Sequence, residues 1–294
     1  MARRLAEFSE VLFSDTRPAI DLRQLASLCF RGIPDVGGLR SLCWQLLLGY
    51  LPPDRRKWPA VLKARRQSYF DLVSDFARNP RRPSKAESTE RGHGQGKQHL
   101  LEQIRADINR TMPDIALFHT PIYQEEADDS RCGTNALARI LFVHAQFNRG
   151  VGYAQGMNEI LAPIYYVLAS CQPAVPGGAL GATSSCIVPA PETAGAIARL
   201  SAPTRSTSQS PDVSALTAGE IGGLQHILKY WWCNYVRLAD RQLWMRMDGL
   251  GIQPEHFALR WLLVWGAREF SLPDVLLLWD ALMANRARLA TAHT

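Results

Sequence analysis

The sequence predicts an all-α protein, and three observations carry that prediction. Apolar residues recur three and four apart through most of the ordered-looking stretches. No run alternates with period two between turn residues, the pattern a half-buried strand leaves. Pro, Gly, Thr and Asn stand where the periodic stretches begin and end. At 294 residues and 47% hydrophobic content, the chain has material for a sizeable core.

The elements follow in order. Residues 1–22 read as a helical lead-in. Leu39, Leu42 and Leu46 share a face that Trp44 and Leu47-Leu48 widen, which makes a first core helix. Val61, Leu62, Tyr69, Leu72, Val73 and Phe76 make a second, entered after Pro59. Leu100, Ile104, Ile108 and Met112 step by four and predict a third, ended by Pro113. Leu137, Ile140, Leu141, His144 and Phe147 give a fourth, running from about Thr134 to Asn148-Arg149-Gly150. Ile160, Leu161, Ile164, Tyr165 and Leu168 give a fifth, and 224–248 and 255–283 hold several more. His144, on an apolar helix face, reads as a satisfied packing residue.

One stretch breaks the pattern. Ser170 to Gly223 has no aromatic residue, 6 Pro, 7 Gly and five charged residues. It lacks the apolar surface to offset its ordering entropy and is expected to be a disordered insert. The helical material is thereby divided into 23–169 and 224–283, two parts of one domain, with 284–294 expected as a tail.

Several function classes drop out. No apolar run approaches the ~18 residues that a membrane-spanning helix needs. The first residues lack the apolar segment of a secretory signal. Six scattered Cys without a Cys-x-x-Cys pair read as reduced thiols of a cytoplasmic protein, with no zinc site. There is no His-x-x-x-His and no Gly-x-Ser-x-Gly. Gly92-His-Gly-Gln-Gly96-Lys97 is one residue short of a phosphate-binding loop and follows no strand. The net charge of +6 comes from residues 55–97, with 12 basic and 4 acidic side chains. Pro and Gly in its second half suggest a solvated surface loop. It would support peripheral contact with anionic membranes, while nothing accompanies it that reads nucleic acid.

Three short segments remain. Arg31-Gly32-Ile33-Pro34, followed by Arg40 and Trp44, is by itself helix punctuation. In Ile104-x-x-Asp107-x-x-Arg110, the last two residues neighbour each other on the outward helix face. The bland account is a surface ion pair worth well under ~1 kcal/mol; the functional one is an arginine held by a carboxylate and offered to an anion. In Tyr153-x-Gln155-Gly156-Met157-Asn158-Glu159, Gln155 is either a turn residue or a group that directs water at a phosphate.

Together and in this order, these segments resemble the successive motifs of the TBC domain. Phe257-Ala-Leu-Arg260-Trp261, Glu269-Phe270, Leu272-Pro273-Asp274-Val275 and Leu278-Trp279-Asp280 resemble its later helices. The resemblance covers about 23–169 and 240–283 and is strongest to the single-domain member 13 subgroup. It implies an all-helical GTPase activator for Rab small GTPases in their GTP-bound state, serving vesicle trafficking from the cytoplasm or the periphery of endomembranes. By motif position Arg110 resembles the arginine finger and Gln155 the glutamine finger. Asp107, Tyr153 and Gly156 would support them, and Arg31, Gly32, Pro34, Arg40, Trp44, Arg260, Trp261, Trp279 and Asp280 would be scaffold. The resemblance implies no cofactor of its own, GTP and Mg²⁺ being carried by the GTPase.

Two departures qualify the expectation. The family's aromatic and acidic stretch after the fifth helix is replaced here by 170–223. The family also runs on for several helices past Leu-Trp-Asp, while this chain has 14 residues after Asp280. A shortened domain leaves a second function open, a catalytically inactive helical module that binds a Rab or an effector. A third is a charge-driven surface binder acting through 55–97.

Overall fold

The computed structural model describes residues 2–14, 18–78, 93–119, 133–148, 152–170, 193–196 and 227–292. Among these residues the architecture is all-α. The one extended pairing among them is an isolated bridge between Ala19 and Asp54. The chain divides into two units, Met1–Leu200 with Leu272–Thr294, and Ser201–Ser271.

In the first unit, α1 (Ala2–Phe13) buries Phe8 and Leu12. Its Arg4 guanidinium donates to the carbonyls of Leu28 and Gly32. α2 (Leu22–Cys29) starts at Asp21, whose carboxylate accepts from the Arg23 and Gln24 amides at 2.9 and 3.1 Å. This satisfies two N–H groups of the first turn that have no partner within the helix. α3 (Leu39–Leu47) starts at Gly38, whose φ of +77° lies in the left-handed region that favours glycine. A 3₁₀ turn, Arg55–Lys57, leads into α4 (Trp58–Arg78), and the Trp58 indole donates to the Pro52 carbonyl at 2.8 Å.

The core that positions the site comprises α5 (His93–Ile108), the short α6 (Ala116–His119), α7 (Gly133–Phe147) and α8 (Met157–Ala169). α5 packs on α7, and α7 on α8. Ile104, Ile108, Leu137, Ile140 and Leu161 are buried at their contacts. These are the positions that the three-and-four spacing assigns to the inner face.

The second unit holds a π-helical segment, Trp232–Val236, that runs into Arg237–Ala239. α9 (Arg241–Gly249) follows, capped by Asp240, and then α10 (Ala258–Val264). Trp232 meets Phe257 edge-on at 5.9 Å, and Phe257 meets Trp261 at 5.1 Å. Back in the first unit, α11 (Leu272–Ala292) packs on α2 and α3.

The structure corrects several expectations. α5 starts at His93, although Gly94 and Gly96 suggested loop. Glycine disfavours helix by only about 1 kcal/mol and does not forbid it. The same helix ends at Ile108 and not at Pro113. Beyond it, the Arg110 and Thr111 amides bond three residues back, to Asp107 and Ile108, and Met112 has φ of +43°. The expected tail at 284–294 is helical as far as Ala292, because Ala284 and Ala287 continue the buried face of α11. Ala and Arg are also among the best helix formers. Of the expected insert, the described parts are Ser170, which caps α8, and the helical turn 193–196, and the rest lies outside the described residues. That turn holds buried residues, Thr193 and Ala196, where none was expected. A side chain on Gly195 would come within 2.3 Å of the Tyr50 ring. Much of the basic segment, 79–92, also lies outside the described residues.

His144 is a packing residue, but not a satisfied one. It is buried on α7, and neither ring nitrogen has a hydrogen-bond partner among the described residues. Burial holds its pKa below the ordinary value. The unfolded chain therefore takes up the proton first as pH falls. Stability is full above about pH 6.5, the unfolded value, and declines as pH drops towards the lower folded pKa. Thermal melts at about pH 7.5 and about pH 5 are expected to show a smaller loss for His144→Leu than for the wild type. An equal loss in both proteins would remove His144 from the acid sensitivity.

Candidate functional site

Two polar clusters in the first unit gather most of the residues singled out from the sequence. The first lies where the end of α5 meets the start of α8. Ile104 and Ile108 anchor the last turns of α5 in the core. Asp107 lies between them in the chain and is itself buried, although sequence spacing put it on the outward face. The carboxylate is covered on one side by Tyr153, whose hydroxyl donates to Oδ2 at 2.8 Å. On the other side Arg110 Nη2 donates to Oδ1 at 2.7 Å. Burial first, and then the Asp107 carboxylate, push the Tyr153 phenol well above its ordinary pKa, so it remains the donor. One carboxylate thus fixes both an arginine and the loop before α8.

Arg110 keeps most of its side chain in solvent, with 70% relative exposure against 7% for Asp107. Its other guanidinium N–H groups make no hydrogen bond among the described residues. Gln155 is also exposed and makes none. It sits in a tight turn between Gly152, at φ +63°, and Gly156, at φ +102°. Gly156 is the N-cap of α8, a left-handed position that strains any residue with a Cβ. The result is a held arginine and an unengaged glutamine on adjoining segments. This arrangement suits a polar, anionic partner better than a small-molecule pocket.

Two further members of this cluster were missed in the sequence. Asn158, in the first turn of α8, donates through Nδ2 to Thr111 Oγ1 at 2.8 Å and approaches the Asp107 carbonyl at 3.4 Å. Thr111 Oγ1 donates to that carbonyl at 2.9 Å. Both residues are buried. A signal was available. Asn158 shares a helical register with Leu161, Ala162 and Tyr165, and Thr111 follows Ile104 and Ile108 at the same spacing. A polar residue in a core register needs a buried partner.

The second cluster is centred on Asp280 in α11, which is fully buried. Its carboxylate accepts from the Ile33 amide at 2.8 Å, from Trp44 Nε1 at 2.7 Å and from Arg40 Nε at 3.3 Å. Arg40 also donates to the Ile33 carbonyl at 2.8 Å and to Asp35 at 3.1 Å. Trp44 and Trp279 lie with ring centroids 6.1 Å apart. Burial pushes the Asp280 carboxyl above the usual carboxylate range, opposed first by Arg40 and then by the Ile33 amide and the Trp44 indole. Gly32, at φ +83°, lets the chain turn here, and a Cβ on it would lie 3.1 Å from Leu277. Pro34 follows, half-buried. This cluster locks α11 onto the turn between α2 and α3.

The remaining sequence choices fall elsewhere. Arg31 is exposed, and its side chain makes no hydrogen bond among the described residues. Arg260 and Trp261 belong to the second unit. There Arg260 pairs with Glu269, Nη2 to Oε2 at 2.9 Å, and Trp261 is 42% exposed against Phe257. Among the described residues no group of three His, Cys, Asp or Glu could hold a metal ion, and no helix is long and apolar enough to cross a membrane.

Comparison with known proteins identifies the family and the fold. The family model described as the Rab-GTPase-TBC domain matches residues 38–176 and 213–293. The human protein TBC1 domain family member 13 is 26% identical over 358 residues, spanning 97% of this chain and 85% of the relative. GTPase-activating protein gyp1 of Schizosaccharomyces pombe is 29% identical over 170 residues, 58% of this chain and 28% of the relative. Among solved structures, the Ypt/Rab-GAP domain of Gyp1p matches with a TM-score of 0.69 at 20% identity, over 99% of this chain and 82% of that one. At that identity the likeness speaks for the fold.

Proposed function

The chain belongs to the Rab-GTPase-TBC domain family, and from that premise we propose that it is a GTPase-activating protein for a Rab small GTPase. It would thereby act in vesicle trafficking. The observation that carries this reading is the pairing of a solvent-facing Arg110, steadied by buried Asp107, with an unengaged Gln155 on the adjoining loop. The family description, the Rab-GTPase-TBC domain, supports the partner class, and the name of the relative gyp1, a GTPase-activating protein, supports the activity.

The chemistry follows from what hydrolysis of GTP lacks in a slow GTPase. Negative charge develops on the phosphoryl oxygens, and the attacking water must be aligned. Arg110 would neutralise that charge through the guanidinium edge that Asp107 leaves free. Asp107 holds the planar fork in place before the partner arrives, so less freedom is lost in the transition state. Gln155 has one carbonyl acceptor and two N–H donors, and would accept from the water while donating to a phosphoryl oxygen. GTP and Mg²⁺ would come with the GTPase in its active state.

The test is single-turnover GTP hydrolysis across a panel of Rab proteins. Acceleration of at least one Rab is expected, with a loss of about 10²-fold or more in Gln155→Ala while Rab binding persists. Rab binding without acceleration would assign the chain to the non-catalytic module. Acceleration unaffected by Gln155→Ala would remove the glutamine from the mechanism.

A further inference from the structure

The Asp107 residue is held to the α8 segment at two points, and they lie on either side of Gln155. Tyr153, two residues before it, bonds the Asp107 carboxylate. Asn158, three residues after it, reaches the Asp107 backbone carbonyl and the Thr111 hydroxyl. Thr111 is the residue next to Arg110. From these contacts we infer that Asn158 and Thr111 are positioning residues: together they form a buried bridge that sets the placement of Arg110 against Gln155. The inference rests on the two-finger reading above and names the parts of this chain that would make it work.

The physical argument runs through burial and backbone geometry. After Ile108 the chain leaves the α-helical ladder, and the carbonyl of Asp107 takes three-residue and side-chain partners instead. A backbone released this way has several low-energy paths. The Thr111 hydroxyl selects one by bonding back to Asp107. Asn158 then ties that turn to the first turn of α8, which also fixes Gly156 and the loop holding Gln155. Of the three acceptors near Asn158 Nδ2, Thr111 Oγ1 at 2.8 Å is the nearest, with the Asp107 carbonyl and Glu159 Oε1 both at 3.4 Å. Both side chains are shielded from water, so no solvent molecule replaces a lost bond without rearrangement. Tyr153 alone leaves the Gln155 span pinned at one end and free to hinge at the other. Neither Asn158 nor Thr111 needs to touch the nucleotide for this role.

The consequence is kinetic. A displacement of about 1 Å between positioned groups costs on the order of 10²-fold in rate. Asn158→Ala and Thr111→Val are each expected to lower the maximal Rab hydrolysis rate by roughly 10–100-fold, with KM for the Rab changed by less than about 3-fold. Thr111→Ser keeps the hydroxyl and is expected to retain most of the rate, whereas Thr111→Val keeps the shape and loses it. Thr111→Val keeps the shape but leaves the Asn158 amide without that acceptor, so its melt is expected to fall while staying cooperative above the assay temperature, which separates loss of placement from loss of fold.

A background in which one finger is absent provides the discriminating measurement. Asn158→Ala introduced into Gln155→Ala is expected to cost much less than it does in the wild type, because the spacing it maintains no longer matters. An equal cost in both backgrounds, a wild-type rate in Asn158→Ala, or equal rates in Thr111→Ser and Thr111→Val would overturn the inference. Failure of the wild-type chain to accelerate any Rab would instead overturn the reading on which it rests.

Discussion

Arg110→Ala is expected to remove about 10³-fold or more of the Rab GTPase acceleration, equivalent to at least about 4 kcal/mol of barrier, while leaving the fold intact. The two halves of this expectation come from different observations. The guanidinium is mostly in solvent and makes one ion pair among the described residues, so its deletion costs on the order of 1 kcal/mol, chiefly through the buried Asp107 oxygen it leaves. Asp107 keeps the Tyr153 hydroxyl and stays satisfied on that side. A stability loss of that size is far too small to account for the fall in rate through unfolding. Arg110→Lys is expected to recover little of it. An ammonium has the charge but cannot hold Asp107 on one edge and a phosphoryl group on the other. Single-turnover hydrolysis with parallel thermal melts checks this. A rate like that of the wild type in Arg110→Ala would show that the arginine has no part in the chemistry.

Asp280→Ala is expected to have the opposite profile, with a large loss of stability and no specific effect on the reacting groups. The substitution leaves buried Arg40 with the exposed Asp35 as its carboxylate partner beside the Ile33 carbonyl, and strips the Ile33 amide and Trp44 indole of their acceptor. Breaking a buried ion pair by removing one partner costs about 3–5 kcal/mol. For a domain of this size the melting temperature should fall by on the order of 10 °C. Asp280→Asn should be milder, because it keeps one oxygen for either the indole or the Ile33 amide, which bond different carboxylate oxygens, and turns its NH₂ towards the other donor and Arg40. Denaturant melts of the three proteins test the order wild type, Asn, Ala. A midpoint for Asp280→Ala equal to that of the wild type would show that the cluster does not hold α11 in place.

Much of the fold was legible in the sequence because helical periodicity is local. The faces of α3, α4, α7 and α8 could be assigned from spacing alone, since burial of one stripe is the only thing an amphipathic helix needs to declare. Ends were less legible. The stop of α5 at Ile108 depends on Thr111 and Asn158 competing for the Asp107 carbonyl, and Asn158 is 51 residues away from it. The helical run to Ala292 depends on Ala284 and Ala287 finding α2 and α3 to pack against. Alanine in a charged stretch reads equally as tail or as small-residue contact until that partner exists.

In the candidate site, the residue types at 107, 110, 153 and 155 and their order along the chain were determined by the sequence alone. So was the family, since the motifs that mark it are short and contiguous. Tertiary structure alone decided that Asp107 is buried, that its two oxygens are divided between Arg110 and Tyr153, and that Asn158 and Thr111 belong beside them. It also decided that the Ile33 amide, Arg40 and Trp44 converge on Asp280 across 247, 240 and 236 residues. The reason is physical. Whether a side chain faces a core stripe follows from its neighbours in the chain, but which polar group satisfies a buried one is settled only when helices from distant parts of the chain exclude water between them.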